Sequence, residues 1–116
     1  MKINLDTPIL NIKGEKMKNQ QGITQTLRDL LLAILNSKFD LEDRAREPCW
    51  TIELGILFAS SKNKIIDIDS EKFKFLKRVV LNNKVKQLTP PLGEKEIDFF
   101  FPFELAQLQK IFAGEK

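Results

Sequence analysis

Leu27, Leu30, Leu31, Ile34 and Leu35 recur at the i, i+3, i+4, i+7, i+8 spacing of a single helix face. An all-apolar stripe of this kind has to be covered, so it dictates that a second element packs upon it. Thr24 or Thr26 can cap the first amides, Asp29 follows Thr26 by three residues as a variant capping box, and Asn36-Ser37 end the helix. The natural cover is "CWTIELGILFAS", Cys49 to Ser60, which is apolar almost all round with Glu53 as the main interruption. As a helix begun by Pro48 it would be central and buried on most sides, with Cys49 a small buried thiol beside a core Trp50. The same residues also alternate. Trp50, Ile52, Leu54, Ile56 and Phe58 fall on one side of an extended chain, which "SSKNK" could turn into "IIDID" as a hairpin. Periodicity leaves both readings open.

The remaining elements follow from local chemistry. Pro8 to Lys18, "PILNIKGEKMK", reads as a hairpin with Gly14 at the turn, followed by the polar loop "NQQG". The mixed-charge "KFDLEDRAREP" reads as an exposed segment with a short helical turn. "KIIDID" is a short strand or link. Asp69 or Ser70 caps a helix in which Phe73, Leu76 and Val80 share one side, Lys74, Lys77 and Arg78 face water, and Asn82-Asn83 mark the end. "VKQL" and "EIDFFF" can pair across "TPPLGEK", where two prolines stiffen the loop and Gly93 lets it turn. Pro102 starts a last helix with Leu105, Leu108 and Phe112 on one side, Lys110 in its last turn and Gly114 as its stop. The expectation is one α+β domain over residues 1–116: three to four helices, with the N-terminal hairpin and the "VKQL" and "EIDFFF" strands forming a short antiparallel sheet or standing as hairpins. A chain of 116 residues can bury roughly 65% of its unfolded surface, enough for a core without disulfides.

The composition removes much catalytic chemistry. With no His and one Cys there is no Ser-His-Asp triad, no Cys-His pair and neither a histidine nor a thiolate zinc site. No GxGxxG or GxxxxGK[ST] loop occurs. Asp67, Asp69 and Glu71, with Lys72 beside them, resemble metal ligands on an extended segment. Acids before a helix more simply cap it and favour its positive end. The expectation is a non-enzyme with no catalytic residue, no metal and no cofactor. The lone Cys49, the lack of an apolar leader after Met1, and the absence of an apolar run of membrane-spanning length point to a reducing, cytosolic setting and no membrane partner.

Two features point toward a partner. Between Lys62 and Lys86 eight basic residues face three acidic ones, a net of +5 in a chain of net +3. Such a segment either solubilises a helix face or draws in an anionic partner. As a winged helix, "SEKFKFLKRVVLNNK" would be the recognition helix and "VKQLTPPLGEKEIDFFF" the wing. Against that, nine residues from Ser60 to Ile68 separate the helices, and the wing tip carries Glu94, Glu96 and Asp98 against Lys95 alone. The second feature is "EIDFFFPF". If the strand ran through it, Ile97, Phe99 and Phe101 would face the core, and Phe100 and Phe103 would need a second apolar surface. Either the last helix covers them or they form a patch for a partner. The candidate contact therefore combines Phe99, Phe100 and Phe103 with Lys74, Lys77 and Arg78.

The order of elements resembles a family of short proteins encoded by tailed bacteriophages and prophages. The likeness rests on a hairpin with a polar Gly loop, a "TLRDLLLAIL" helix, a "W…ELGILF" helix, an extended link, "DSEKFKFLKRVV", and a short final helix like "ELAQLQKIF". It covers Ile9 to about Asn83, with "TPPLGEKEIDFFF" as an insertion before the final helix. These are hydrophobicity patterns rather than chemical signatures. The resemblance favours a helix over "CWTIELGILFAS" and implies a phage accessory protein that binds a host or phage protein. Such a protein would inhibit a host process such as antiviral defence or assist virion assembly, in the host cytoplasm or the virion. The alternative is a small winged-helix-like regulator that binds nucleic acid.

Overall fold

The computed structural model describes residues 2–18, 21–89, 91 and 93–113. Four helices and two separate two-stranded antiparallel sheets alternate along the chain. The order is β1 (Lys2–Asn4), α1 (Leu27–Leu35), α2 (Glu47–Ser60), β2 (Ile65–Asp67), α3 (Ser70–Asn82), β3 (Lys84–Thr89), β4 (Gly93–Asp98) and α4 (Pro102–Ala113). This is the expected small α+β fold. The two hairpins stay separate rather than sharing a sheet, and the sequence reading did not foresee β1. β1 pairs with β2, Ile3 opposite Ile66, while β3 pairs with β4 from Lys84↔Asp98 to Thr89↔Gly93. Residues 50–69 are thus a helix followed by a short strand, not a hairpin.

The N-terminal hairpin is tighter than a two-stranded ladder. Ile9 N–H donates to the Gln25 carbonyl (3.0 Å), Gln25 N–H to Met17 (2.8 Å) and Met17 N–H to Ile9 (2.8 Å). Three short segments therefore close a ring of backbone hydrogen bonds, with bridges Pro8↔Thr26, Leu10↔Lys16 and Lys18↔Thr24 at its corners. Gly14 turns one arm at φ +83 and Gly22 another at φ +79. Residues 19–20 of the polar loop, Pro90 and Leu92 of the β3–β4 loop and the Gly114 stop lie outside the described residues.

The Leu stripe of α1 is fully internal: Leu27, Leu30, Leu31, Ile34 and Leu35 are all buried. Thr26 is the N-cap, and Asp29 Oδ2 accepts from its N–H (3.0 Å). α1 also finishes α2. The Arg28 guanidinium donates to the carbonyls of Phe58 and Ser61, satisfying carbonyls that a helix end leaves open. Asp69 caps α3 by accepting from Lys72 N–H (2.9 Å).

α3 ends at Asn83, buried and left-handed at φ 57. Its backbone N–H donates to Val79 (3.3 Å) and its carbonyl accepts from Phe99 N–H (2.9 Å). Its side-chain oxygen accepts from Phe100 N–H (2.6 Å) and its amide donates to the Phe100 carbonyl (3.3 Å). Regular pairing of β4 stops at Asp98, so strand alternation no longer governs the phenylalanines. Phe100 enters the core at 4% exposure, Phe99 packs against it edge-on at 4.9 Å, and Phe101 points outward at 64% exposure. This reverses the sequence expectation for Phe100 and Phe101.

Phe101 is also the residue before α4, and Glu104 Oε1 accepts its N–H (3.0 Å), half of a capping box. Leu108 and Phe112 of α4 are buried, Phe112 against Phe73 of α3 at 5.5 Å between centroids. Gln107 ties α4 to the N-terminal ring by donating to the Leu10 carbonyl and accepting its N–H, both at 2.8 Å.

Phe100→Ala is expected to destabilise the domain by about 3–5 kcal/mol, and Phe101→Ala by well under about 1 kcal/mol. Urea unfolding followed by circular dichroism checks the contrast.

Candidate functional site

The basic residues of α3 meet the start of α2. Glu47, the first residue of α2, is buried, although a lone buried carboxylate is costly. Its Oε1 accepts from Arg78 Nη2 (2.6 Å) and from the Glu42 backbone N–H (2.8 Å). The Arg78 guanidinium carbon lies 5.7 Å from the centre of the Phe75 ring, and Glu42 Oε2 stands 3.7 Å from Nε. Arg78 thus serves an internal ion pair, correcting the expectation that it faces water. Trp50 is half-buried against Phe75 (5.9 Å), and Phe39 packs against the same ring (6.0 Å). Lys74, Glu71 and Arg46 join these groups around a shallow groove of about 320 Å³. Its charges balance, three acids against three bases, and its floor is aromatic.

The candidate contact residues do not form one surface. Lys74 and Arg78 line the groove, whereas Phe99, Phe100 and Phe103 are not among its lining residues. Phe100 is core, and Phe99 is partly buried against the core. Phe103 is half-buried and stacks on exposed Phe101, the rings 5.8 Å apart and 6° from parallel. Among the described residues, Lys74 and Lys77 make no ion pair. The rest of the basic segment is more occupied: Lys72 pairs with Glu53 (2.6 Å) and Asp69 (3.6 Å), Lys84 with Asp98, and Lys86 with Asp40 (3.1 Å). In the proposed wing, Glu94 pairs with Lys38. The hydrogen bond to Glu53, aided by the charges of Glu53 and Asp69, raises the Lys72 pKa. Among the described residues, no cluster of three or more His, Cys, Asp or Glu is arranged to hold a metal ion.

The surface that sequence reading missed is on α2. Its inner side carries Glu47, Leu54 and Phe58, all buried. With 3.6 residues per turn, Pro48, Cys49, Ile52, Glu53, Ile56, Ala59 and Ser60 fall on the opposite side, and all seven are exposed. Ile52 is 63% exposed and Ile56 62%, and Glu53, paired with Lys72, is the one charge among the seven. The Ser60 hydroxyl donates to the Ile56 carbonyl (2.6 Å), so it is engaged within its own helix. α2 is therefore covered on one side only, and Cys49 is exposed rather than buried. The all-round apolar composition was the available signal. It was read as burial within the domain.

Comparison with protein-family models, curated proteins and solved structures finds no match to this chain.

Arg78→Ala leaves Glu47 buried without its cation and is expected to cost about 3 kcal/mol, most of which a paired Glu47→Leu, Arg78→Met replacement recovers. A double-mutant cycle by urea unfolding measures both. Because the folded-state pKa of Lys72 is raised, its stabilising contribution is complete below the ordinary lysine value, about 10.4, and is lost as pH rises through the raised value. Lys72→Met should remove that alkaline dependence from the thermal midpoint.

Proposed function

We propose that this chain is a non-enzymatic accessory protein of the tailed-phage type that works by docking α2 against another protein chain. The observation that carries the reading is the outer face of α2, with two isoleucines more than 60% exposed along one helix and Glu53, held by Lys72, as its one charge. A helix apolar on all sides is normally covered on all sides, and contiguous exposed apolar surface marks interaction sites. The stacked Phe101–Phe103 pair offers a second, smaller apolar step. Inhibition of a host process, such as antiviral defence, and assistance to virion assembly both fit this mode of action, in the host cytoplasm or the virion.

The nucleic-acid reading draws on unpaired Lys74 and Lys77 and on the β3–β4 hairpin that follows α3. Its weakness is electrostatic. Lys72, Arg78, Lys84 and Lys86 already face carboxylates, and the hairpin presents Glu94, Glu96 and Asp98. Phosphate binding depends on cations that remain available.

Affinity capture from phage-infected host cells, with the tagged full chain as bait, tests the choice. The variant Ile52→Glu, Ile56→Glu is expected to keep the wild-type circular dichroism and lose the captured protein at least tenfold. Lys74→Glu, Lys77→Glu is expected to change capture little. Salt-sensitive retention on DNA that the Lys variant abolishes and the Ile variant leaves intact would favour the nucleic-acid regulator instead.

A further inference from the structure

β3 and β4 form a ladder of two strands, so each backbone group faces either the partner strand or an outer edge. The register fixes which. Phe99 N–H donates to the Asn83 carbonyl (2.9 Å), making Asn83 and Phe99 a hydrogen-bonded pair just beyond the strands. Such pairs alternate along an antiparallel ladder, so Val85↔Ile97 and Gln87↔Lys95 are hydrogen-bonded pairs too. The residues between them, Glu94, Glu96 and Asp98, therefore turn both N–H and C=O away from β3.

The two outer edges differ. On β3, Lys86 N–H donates outward to the Lys38 carbonyl (2.7 Å), so the segment after α1 lies along that edge. On β4, no hydrogen bond from the described residues reaches the outward backbone groups of Glu94, Glu96 or Asp98. An open edge of this kind is a template for a further strand.

Side chains specify which strand fits. Glu94, Glu96 and Asp98 share the exposed face of the ladder, opposite Leu88, Lys86 and Lys84. Glu94 pairs with Lys38 and Asp98 with Lys84, while Glu96 makes no ion pair among the described residues. The other face carries buried Val85 and partly buried Ile97 against the core. The stretch already paired with β4, Lys84-Val85-Lys86, alternates cation and apolar residue to match. A strand on the outer edge would meet the same two rows, acids on one face and Ile97 on the other. A second copy of this chain fits poorly. Two β4 edges side by side would set acids against acids, and the β3 edge is taken at Lys86 by Lys38. Charge that protects an edge from its own kind selects for the opposite charge. We propose that the outer edge of β4 takes an extended basic segment of a partner protein as a third strand, Lys or Arg alternating with apolar or β-branched residues. This site does not draw on the reading of α2.

The probe is a capped peptide, Thr-Lys-Val-Lys-Val-Lys-Thr, titrated into the isotope-labelled full chain and followed by NMR. The amides of Glu94, Glu96 and Asp98 should shift, and their exchange with solvent should slow several-fold. A peptide with Glu in place of each Lys should bind at least tenfold more weakly. So should the basic peptide N-methylated along its backbone, which keeps the charge and loses the donors. Glu96→Pro removes the central outward donor and no ladder bond, and should weaken basic-peptide binding at least tenfold with an unchanged circular dichroism spectrum. Ile52→Glu, Ile56→Glu should bind the peptide as wild type does, which separates this site from the α2 face. Equal binding of the N-methylated peptide would mean charge attraction alone and would overturn the added strand. Equal binding of the acidic peptide overturns the charge selection, and no shift at the three amides overturns the site.

Discussion

The C-terminal half of the molecule hangs on the hydrogen bonding of Asn83. A left-handed residue costs a side-chain-bearing amino acid energy, and Asn tolerates it best after Gly. Here its backbone and its side-chain amide all find partners, and three of the four bonds reach across to Phe99 and Phe100. Sharing those bonds fixes several things together. α3 stops, β3 begins at the next residue, β4 returns to the same point, and Phe100 is delivered to the core. α4 then starts where it can lay Phe112 on Phe73. A single polar residue at a helix end thus sets the positions of the hairpin and the last helix, while apolar burial supplies the drive.

Where sequence reading succeeded, local chemistry was sufficient. The α1 stripe, the Thr26–Asp29 and Asp69 caps, the stop at Asn83, the β3–β4 pairing and the Pro102 start each depend on residues close in the chain. The failures share a different cause. Alternation assigned Phe99, Phe100 and Phe101 to faces, but it holds only while a strand lasts, and pairing ends at Asp98. Arg78 was read as solvated because nothing nearby in sequence announces Glu47, which lies 31 residues away. β1 was missed because three residues are too few to show a period, and its pairing with β2 spans more than half the chain.

The α2 error is of another kind. Composition reports that a helix is apolar, and cannot report which of its sides the rest of a small domain is able to reach. Here α1 and α3 cover one side, and no described element lies over Ile52 and Ile56. The charge excess misled in a similar way. Counting residues along the chain gave a basic segment, whereas the fold sets several of its members against carboxylates from α2, β4 and the segment before α2.

Gln107 binds both backbone groups of Leu10 across 97 residues, taking the place that a neighbouring strand would otherwise fill. The N-terminal ring therefore has one side that only the last helix can complete. Closing so long a loop is entropically expensive, and contacts between distant parts of a chain form late in folding. During synthesis, Leu10 leaves the ribosome well before Gln107, so the outer hydrogen bonds of the ring wait for α4. The ring is finished only when α4 arrives.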